Sequence, residues 1–379
     1  MTTSTTGGTA VTVPFLDLAA QQAEVFDAVS ARWQSLLRTA AFIGGAEVDA
    51  FEREYAAYIG VDHVVGVANG TDALELAYRG VGVRPGDEVI MPANTFVATA
   101  EAASRIGAIP VFVDVDEEHL LISPTAVARA ITPRTRAIVP VHLFGQTAPL
   151  AALLEIGQDR GIPIVEDAAQ AQGARSAAGR AGSLGTVAAT SFYPGKNLGG
   201  AGDGGAVLTD DPEIAAQVRV IASHGSSVKY VHERVGINSR LDAIQAVVLR
   251  EKLPRLDAWN RARQRAADRY ADLLGDIPGV RIPRAVPGNE DVWHLYVVRV
   301  PARSAVVAEL DAAGIGVGIH YPTPVHLTAA YRHLGYTPGS FAVAEGAARH
   351  ILSLPIYPHL SGAQQEYVAD VLRTAVARG

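Results

Sequence analysis

Short, continuous runs of apolar residues alternate with amphipathic stretches between about residue 64 and residue 210. Each run ends in polar or glycine-containing residues, and a helical period of apolar positions follows most of them. Continuous apolar strands joined by helices are typical of a mostly parallel sheet that helices cover on both faces. The sequence therefore predicts an α/β fold whose strands lie at residues 64–68, 87–92, 109–116, 136–145, 162–169, 187–194 and 205–210.

The pattern changes after this region. A helical period covers residues 239–275 and contains Pro254, which predicts a bend there. Apolar runs at 294–300 and 315–320 flank a further helix and predict a smaller α+β domain. We therefore expect three parts: a mobile N-terminus at residues 1–11, a large domain at 12–250 and a small C-terminal domain at 251–379.

The composition excludes several classes of function. A net charge of −7 gives no basic excess for broad binding to nucleic acid or anionic membranes. There are no cysteines, so disulfides, thiolate catalysis and cysteine-ligated metals are excluded. No apolar run approaches the ~20 residues that span a bilayer, and the opening MTTSTTGGTAVTVPF lacks the pattern of a secretory signal. We expect a cytoplasmic protein without a metal site.

Lysine is rare in this chain. Of the 32 basic residues only Lys196, Lys229 and Lys252 are lysines. Arginine neither forms an imine nor deprotonates in proteins, so amine chemistry requires one of these three. The sequences around Lys229 and Lys252 predict solvated side chains. Lys196 instead follows a buried run in a loop that contains glycines, which makes it a candidate nucleophile, although a salt bridge at the loop end is the simpler alternative.

Four segments with polar or aromatic side chains follow predicted strands, at 69–72, 95–96, 166–170 and 191–200. Ligands of open α/β sheets bind outside the carboxyl ends of strands, so these segments could meet in one crevice. The first segment, Asn-Gly-Thr-Asp, begins a helix and could bind a phosphate through free N–H groups. The alternative is an ordinary helix cap.

The other three segments allow similar pairs of interpretations. Asp167 follows a buried strand, where a carboxylate is costly unless it has a partner such as a protonated pyridine nitrogen; a helix cap or structural ion pair is the alternative. Phe96 could stack on a planar ring or could be core. The glycine cluster at 199–205 leads into a strand, so it fits neither a dinucleotide-binding loop nor a P-loop.

Nine segments in this order resemble a known family: NGTDAL, GDEVIMPANTFVATA, PVFVDVD, AIVPVHLFGQ, VEDAAQAQGA, SFYPGKNLGGAGDGGAVLTD, NSRLDAIQA, HYPTPVH and LSLPIYP. The family is that of the DegT/DnrJ/EryC1/StrS sugar aminotransferases, and the resemblance runs from about Pro14 to Leu360. It implies a fold-type-I aminotransferase with a smaller C-terminal domain and with pyridoxal 5'-phosphate as cofactor.

The resemblance also implies roles for individual residues. Lys196 would form a Schiff base with the cofactor and then move the proton as a general base. Asp167 would pair with the pyridine nitrogen. Further cofactor contacts are implied for Phe96 over the ring, Gln170 at the phenolic oxygen, and Gly70, Thr71 and Ser191 at the phosphate. Asn238 would reach the phosphate of the neighbouring subunit, which implies a homodimer with shared active sites.

The resemblance implies L-glutamate as amino donor and a nucleotide-linked keto-sugar as acceptor. His320 and Tyr321 match a motif near the sugar, although His320 could instead be a structural histidine. The 4-keto enzymes more often have histidine where Tyr193 stands, which favours C3 of a dTDP-3-keto-6-deoxyhexose in aminosugar and natural-product biosynthesis. A 4-keto hexose or pentose remains the alternative substrate.

Two other functions are compatible with the same family. One is a sugar dehydratase, but that branch replaces the lysine with histidine, and Lys196 is present. The other is a catalytically silent homologue that acts as a binding partner. Loss of Lys196, Asp167 or Ser191 would favour a silent protein, and all three are present. The sequence therefore favours a transaminase.

Overall fold

The computed structural model describes residues 12–378, so the N-terminus predicted to be mobile, residues 1–11, lies outside the described residues. The helices of the described part are α1 Leu18–Ala23, α2 Phe26–Thr39, α3 Ala46–Ile59, α4 Gly70–Gly80, α5 Ala98–Arg105, α6 Pro124–Ala130, α7 Leu150–Arg160, α8 Pro212–Ala222, α9 Ala243–Lys252, α10 Leu256–Leu274, α11 Arg303–Ala312, α12 Ala342–His350 and α13 Gly362–Arg378. Its strands are β1 His63–Val67, β2 Glu88–Pro92, β3 Ile109–Val113, β4 Thr135–Ile138, β5 Val165–Asp167, β6 Arg175–Ser176, β7 Gly179–Arg180, β8 Val187–Ser191, β9 Gly205–Thr209, β10 Ser226–Val228, β11 Val231–His232, β12 Tyr296–Arg299 and β13 Ile351–Leu354.

Seven strands form the central sheet in the order β1-β9-β8-β5-β4-β2-β3. Two ladders, β1-β9-β8-β5 and β3-β2-β4, are joined by isolated parallel bridges from Ile138 to Ile164 and from Val141 to Asp167. Strand β9 is antiparallel to both of its neighbours, and the other pairs within the ladders are parallel. The prediction of a mostly parallel sheet with helices is therefore confirmed.

Strand β8 shows why the apolar runs are continuous. Val187 and Ala189 lie in a core that also contains residues of α4, α5 and α8, whereas Ala188 lies in a second core with residues of α3 and α9. Successive side chains of a strand point to opposite faces of the sheet. Because helices cover both faces, Val187 to Ala189 are all apolar, and the buried Thr190 precedes the end of the strand at Ser191.

The long helical segment predicted at residues 239–275 is interrupted at Pro254, as expected. Helix α9 ends at Lys252, a 3-10 turn covers Leu253–Arg255, and α10 begins at Leu256. Pro254 has no N–H to donate to the preceding turn, so a regular helix cannot continue through it. The helical region starts at Ala243, four residues later than the periodicity predicts.

The C-terminal region contains a two-stranded antiparallel sheet, β12-β13, packed with helices α10, α11 and α13. The strand predicted at residues 315–320 is wrong, because this segment forms only isolated bridges, such as those from Ile315 to Val13 and from Gly318 to Ser353. A Cβ at Gly316 would lie 2.7 Å from the backbone nitrogen of Phe15, so this segment lies against the N-terminal residues rather than in a regular ladder. The predicted domain boundary at residue 250 stays a prediction.

Within residues 12–378, no helix is both long enough and apolar enough to cross a bilayer.

Candidate active site

The first part of the site is the junction of α4 with β8. A Cβ placed at Gly70 would lie 2.7 Å from the Cβ of Ser191 and 3.2 Å from its Oγ, so the serine hydroxyl lies against the first turn of α4. Asn69 caps this helix by accepting a hydrogen bond of 2.8 Å from the N–H of Asp72. The backbone groups of Gly70 and Thr71 belong to the first turn, where N–H groups and the helix dipole favour an anion.

Asp167 is a buried carboxylate at the end of β5. Its Oδ2 accepts a hydrogen bond of 2.8 Å from the hydroxyl of Thr99, and its Oδ1 accepts one of 3.2 Å from the N–H of Ala169. Burial raises the pKa of Asp167, while these two donors and the ammonium of Lys196 oppose the rise. A cation beside this carboxylate would offset the cost of burying its charge.

Lys196 lies in the turn that follows β8. Burial lowers the pKa of its amine from 10.5 to about 8, against the opposing charge of Asp167. A lysine with a lowered pKa has a larger neutral fraction near neutral pH, and only the neutral amine is nucleophilic. The two side chains thus provide an anion and a reactive amine at the carboxyl end of the sheet.

A third group of side chains joins the sheet to the C-terminal region. The Oε1 of Gln170 accepts a hydrogen bond of 2.7 Å from the N–H of Phe144, and its Nε2 donates one of 3.1 Å to the hydroxyl of Tyr321. The ring of Tyr321 lies 5.5 Å from that of Phe96. Phe96 remains 53% exposed, so its face is accessible to a planar ligand. The structure thus brings Phe96, Gln170 and Tyr321 together.

His320 and Tyr193 lie in different surroundings. The Nδ1 of His320 is 2.8 Å from the Oγ of Ser353, and its ring stacks on Phe15 with centroids 5.7 Å apart. Burial and the charge of Lys196 lower the pKa of His320 to about 4, so its imidazole is neutral at pH 7. Tyr193 is exposed, three residues before Lys196. His320 is therefore close enough to Lys196 for the lysine charge to lower its pKa.

Asn238 is exposed, and its neighbour Ser239 is buried. The hydroxyl of Ser239 donates a hydrogen bond of 2.8 Å to the Oδ2 of Asp72 and accepts one of 3.1 Å from the N–H of Ala68. These bonds fix the segment that contains Asn238 beside the first turn of α4. A contact with a neighbouring subunit is not tested by a single chain and stays a prediction.

The carboxylate next to Asp167 has a structural role. Glu166 is fully buried and accepts hydrogen bonds of 2.6–2.8 Å from the amides of Gly182, Leu184 and Gly185 and from the Nε2 of His142. Burial alone would raise the pKa of Glu166, but these donors hold it below its ordinary value. Successive residues of a strand point to opposite faces, so Glu166 and Asp167 serve different sides of β5.

The prediction that Lys252 is solvated is wrong. Its side chain is buried, and its Nζ donates a hydrogen bond of 2.9 Å to the carbonyl of Gly199. Lys229, the third lysine, is exposed as expected.

Thr99 is a second residue whose role the sequence did not predict. A threonine on a buried helix face gives no sequence signal of its own, because its role depends on a hydrogen bond to Asp167, which is distant in the sequence.

The site residues fit pyridoxal phosphate. Three chemical requirements of this cofactor are an anion-binding helix terminus for its phosphate, a carboxylate for its pyridinium nitrogen and an amine for its aldehyde. The turn at Gly70, the buried Asp167 and the low-pKa amine of Lys196 provide these three features. Among residues 12–378, no group of three or more histidines or acidic residues is arranged to hold a metal ion.

Comparisons with known proteins agree with this chemistry. The model of the DegT/DnrJ/EryC1/StrS aminotransferase family matches residues 26–373. The dTDP-3-amino-3,4,6-trideoxy-alpha-D-glucose transaminase of Streptomyces venezuelae is 49% identical over 361 residues, which are 95% of each chain. The solved structure of S. venezuelae DesV in complex with a ketimine intermediate has a TM-score of 0.94 and 48% identity, and covers 97% of this chain and 99% of that chain. A Bacillus subtilis structure, ntda with bound cofactor PMP, has a TM-score of 0.90 and 29% identity, and covers 99% of this chain and 87% of that chain.

Proposed function

The chain belongs to the DegT/DnrJ/EryC1/StrS aminotransferase family, and on that premise we propose that it transfers the amino group of L-glutamate to C3 of a dTDP-linked 3-keto-6-deoxyhexose. It is a pyridoxal-phosphate-dependent sugar aminotransferase of the fold-type-I class. The observation that carries the assignment is a buried Asp167 whose charge interacts with that of a half-buried Lys196 of lowered pKa at one end of the sheet.

Bound pyridoxal phosphate supplies the electron sink that makes the proton on the amino-bearing carbon acidic. In this proposal Asp167 keeps the ring nitrogen protonated, and Thr99 orients its carboxylate. Lys196 would hold the cofactor covalently through its Nζ. The same Nζ would accept the proton from the amino-bearing carbon and return it during transfer. Its lowered pKa leaves a substantial neutral fraction for this step at pH 7–8.

The remaining residues bind and orient. The amides of Gly70 and Thr71 and the hydroxyl of Ser191 form the phosphate site, which the close approach of Gly70 to Ser191 supports. Phe96 covers one face of the ring, and Gln170 faces the phenolic oxygen. The hydrogen bond between Gln170 and Tyr321 supports this arrangement, because it orients the amide of Gln170 towards Tyr321, whose ring lies beside Phe96.

The acceptor is a nucleotide-linked keto-sugar, and its keto position is the finer part of the proposal. The 49% identity to a transaminase that makes a 3-amino dTDP-sugar supports C3. Tyr193, His320 and Tyr321 would contact the sugar. We place the reaction in the cytoplasm, where nucleotide-linked sugars and free glutamate are available, and in the biosynthesis of an aminosugar for a natural product.

We also propose a homodimer in which Asn238 reaches the phosphate of the partner's cofactor. Exposed apolar side chains grouped on and beside the β10–β11 hairpin support this assembly, because apolar side chains that are grouped on a surface mark interfaces. Tyr230 and Val235 are 80% and 91% exposed, and Val228 and Val231 are also exposed. A partner subunit would bury them.

The test is an assay with purified protein, pyridoxal phosphate, L-glutamate and a panel of dTDP-3-keto and dTDP-4-keto sugars. We expect 2-oxoglutarate and a 3-amino sugar in equal amounts, and none with Lys196→Ala. Turnover of the 4-keto hexose or pentose alone would reassign the keto position. Turnover of free amino acids or inosose alone would overturn the nucleotide-sugar assignment, and no turnover by a correctly folded, cofactor-loaded protein would favour a silent homologue.

A further inference from the structure

Lys252 is a buried cation that the proposed reaction does not use. It is the last residue of α9, its side chain is 7% exposed, and burial lowers the pKa of its amine to about 8. Its Nζ donates a hydrogen bond of 2.9 Å to the carbonyl oxygen of Gly199. Burying an ammonium is costly, so a buried lysine calls for a structural or functional reason.

The carbonyl of Gly199 belongs to the turn that carries Lys196. Within this turn the N–H of Lys196 donates a hydrogen bond of 2.8 Å to the carbonyl of Tyr193, and the N–H of Gly200 donates one of 2.8 Å to that of Phe192. A Cβ at Gly199 would lie 2.3 Å from the carbonyl oxygen of Pro194. The two ends of the turn therefore lie against each other, and a shift of Gly199 towards Pro194 would disturb the residues that flank Lys196.

Other contacts hold the opposite side of the same turn. The Nδ2 of Asn197 donates hydrogen bonds of 2.9 Å to the Oδ1 of Asn260 and to the carbonyl of Val292. The Oε1 of Gln245, on α9, accepts one of 2.8 Å from the N–H of Ala201. Helices α9 and α10 thus bind the turn through several hydrogen bonds. The bond from Lys252 to Gly199 is the one with a charged donor.

We propose that Lys252 is a positioning residue: its ammonium binds the carbonyl of Gly199 and thereby fixes the turn that presents Lys196 to the cofactor. The inference rests on the proposed attachment of the cofactor at Lys196. It concerns the geometry of the reactive amine, because the ammonium of Lys252 binds the backbone of the turn that carries Lys196. A hydrogen bond from a charged donor inside the protein is stronger than one from a neutral donor and resists movement of its acceptor.

The chemistry of lysine suits this position better than that of arginine. An ammonium is compact and can aim one N–H at a single carbonyl, whereas a guanidinium is a planar fork that needs several acceptors in one plane. The chain has 29 arginines and three lysines, and Lys252 is one of the two lysines with a buried amine. Retention of lysine here is consistent with a requirement for a compact donor.

The test uses the full-length chain with the variants Lys252→Met and Lys252→Arg, and Arg160→Met as the control at an exposed basic residue on α7, outside the proposed interface. The cofactor is removed and added back, the rate of covalent attachment is followed by absorbance, and borohydride reduction with peptide mapping identifies the modified lysine. We expect Lys252→Met to attach the cofactor at Lys196 about tenfold more slowly, with partial recovery in Lys252→Arg and no change in Arg160→Met.

A second comparison separates positioning from stability. Gly199→Ala opens the turn directly, so combining it with Lys252→Met should slow attachment by less than the product of the two single effects. If Lys252→Met does not fold, Lys252→Gln replaces it: it keeps a neutral donor in place of the ammonium, and it should attach the cofactor more slowly than wild type. A wild-type attachment rate in folded Lys252→Met, or multiplicative effects in the double variant, would overturn the inference. Modification of a lysine other than Lys196 would instead overturn the proposed function.

Discussion

The hydroxyl of Thr99, on helix α5, donates a hydrogen bond of 2.8 Å to the Oδ2 of Asp167, on strand β5. Thr95 lies behind it, with its own hydroxyl oxygen 2.6 Å from that of Thr99. Both threonines are buried, so water cannot substitute for them. The bond favours the ionised carboxylate, the form that pairs with a pyridinium nitrogen.

Thr99→Val removes this donor at nearly constant volume. We expect the pKa of Asp167 to rise further, because burial already raises it and Thr99 opposes that rise. Affinity for pyridoxal phosphate should fall by about tenfold, as measured by equilibrium dialysis or fluorescence titration. Thr99→Ser keeps the hydroxyl and should retain most of the affinity. Equal affinity in Thr99→Val and wild type would show that Thr99 does not orient Asp167.

Gly70→Ala tests the proposed phosphate site. The new methyl group would lie 2.7 Å from the Cβ of Ser191, so either the first turn of α4 or the serine must move. We expect cofactor affinity to fall by about tenfold or more, because helix N–H groups bind an anion only when correctly oriented. Gly346→Ala, where the nearest atom is 3.9 Å away, is the control and should bind normally. If Gly70→Ala binds the cofactor with normal affinity, the phosphate does not bind at the first turn of α4.

The rate at which Lys196 attaches the cofactor should depend on pH. Its folded-state pKa of about 8 means that the neutral amine becomes dominant only above that pH. The rate of attachment to the cofactor-free protein should therefore rise between about pH 7 and 9 and then level. Asp167→Asn removes the nearby charge that favours the ammonium and should shift this midpoint to lower pH. A midpoint near 10.5 would contradict a buried amine.

Glu166→Gln tests the structural carboxylate. Glutamine keeps the shape but cannot accept at both atoms, so an amide N–H loses its partner and the free energy of unfolding should fall by about 2–4 kcal/mol at pH 7. The pKa of Glu166 is lower in the folded state than its ordinary value of 4.5. Its stabilisation is therefore present above pH 4.5 and lost as the pH falls through the folded-state value.

The difference between wild type and Glu166→Gln in urea unfolding should consequently narrow below pH 4.5. Glu366→Gln, which removes an exposed ion pair with Arg269, is the control and should cost at most about 1 kcal/mol. A difference between wild type and Glu166→Gln that is constant from pH 7 to pH 3.5 would be inconsistent with a lowered pKa.

Asn238→Ala tests the shared active site. If Asn238 reaches the partner's cofactor, its loss should weaken cofactor binding by about tenfold without changing the dimer seen by light scattering. Mixed dimers of Asn238→Ala and Lys196→Ala subunits give a sharper result. One site of such a dimer has Lys196 from one subunit and Asn238 from the other, so activity should return. Absence of recovery would mean that Asn238 acts within its own subunit or only on structure.

Sequence patterns predict the sheet well because both of its faces are buried. Continuous apolar runs such as that of β8 are explained by burial on both faces, and the residue that ends each parallel run lies at the carboxyl edge of the sheet. This is why Asp167 and Ser191, far apart in sequence, could be expected in one crevice. The strand predicted at 315–320 failed because its glycines permit close approach to Phe15, a tertiary contact that no local pattern encodes.

Lys252 shows a different limit of sequence reasoning. It lies among charged residues, and its neighbour Arg250 pairs with Glu47 and Glu54 near the surface, which is typical of a solvated helix face. Its own side chain, two positions further along the helix, points to the turn at Gly199 instead. Which face of α9 is buried depends on how the whole helix packs.

The hydrogen bond between Gln170 and Tyr321 also indicates which part of the pocket can change when the enzyme is altered to accept a different sugar. Gln170 follows a strand of the central sheet, whereas Tyr321 belongs to a segment that the C-terminal region holds through Ser353 and His320. Substitutions in that segment can reshape the pocket while the sheet edge stays unchanged. A variant library for altered sugar selectivity should therefore vary the segment but keep a hydroxyl at 321, so that altered specificity does not come with loss of cofactor alignment.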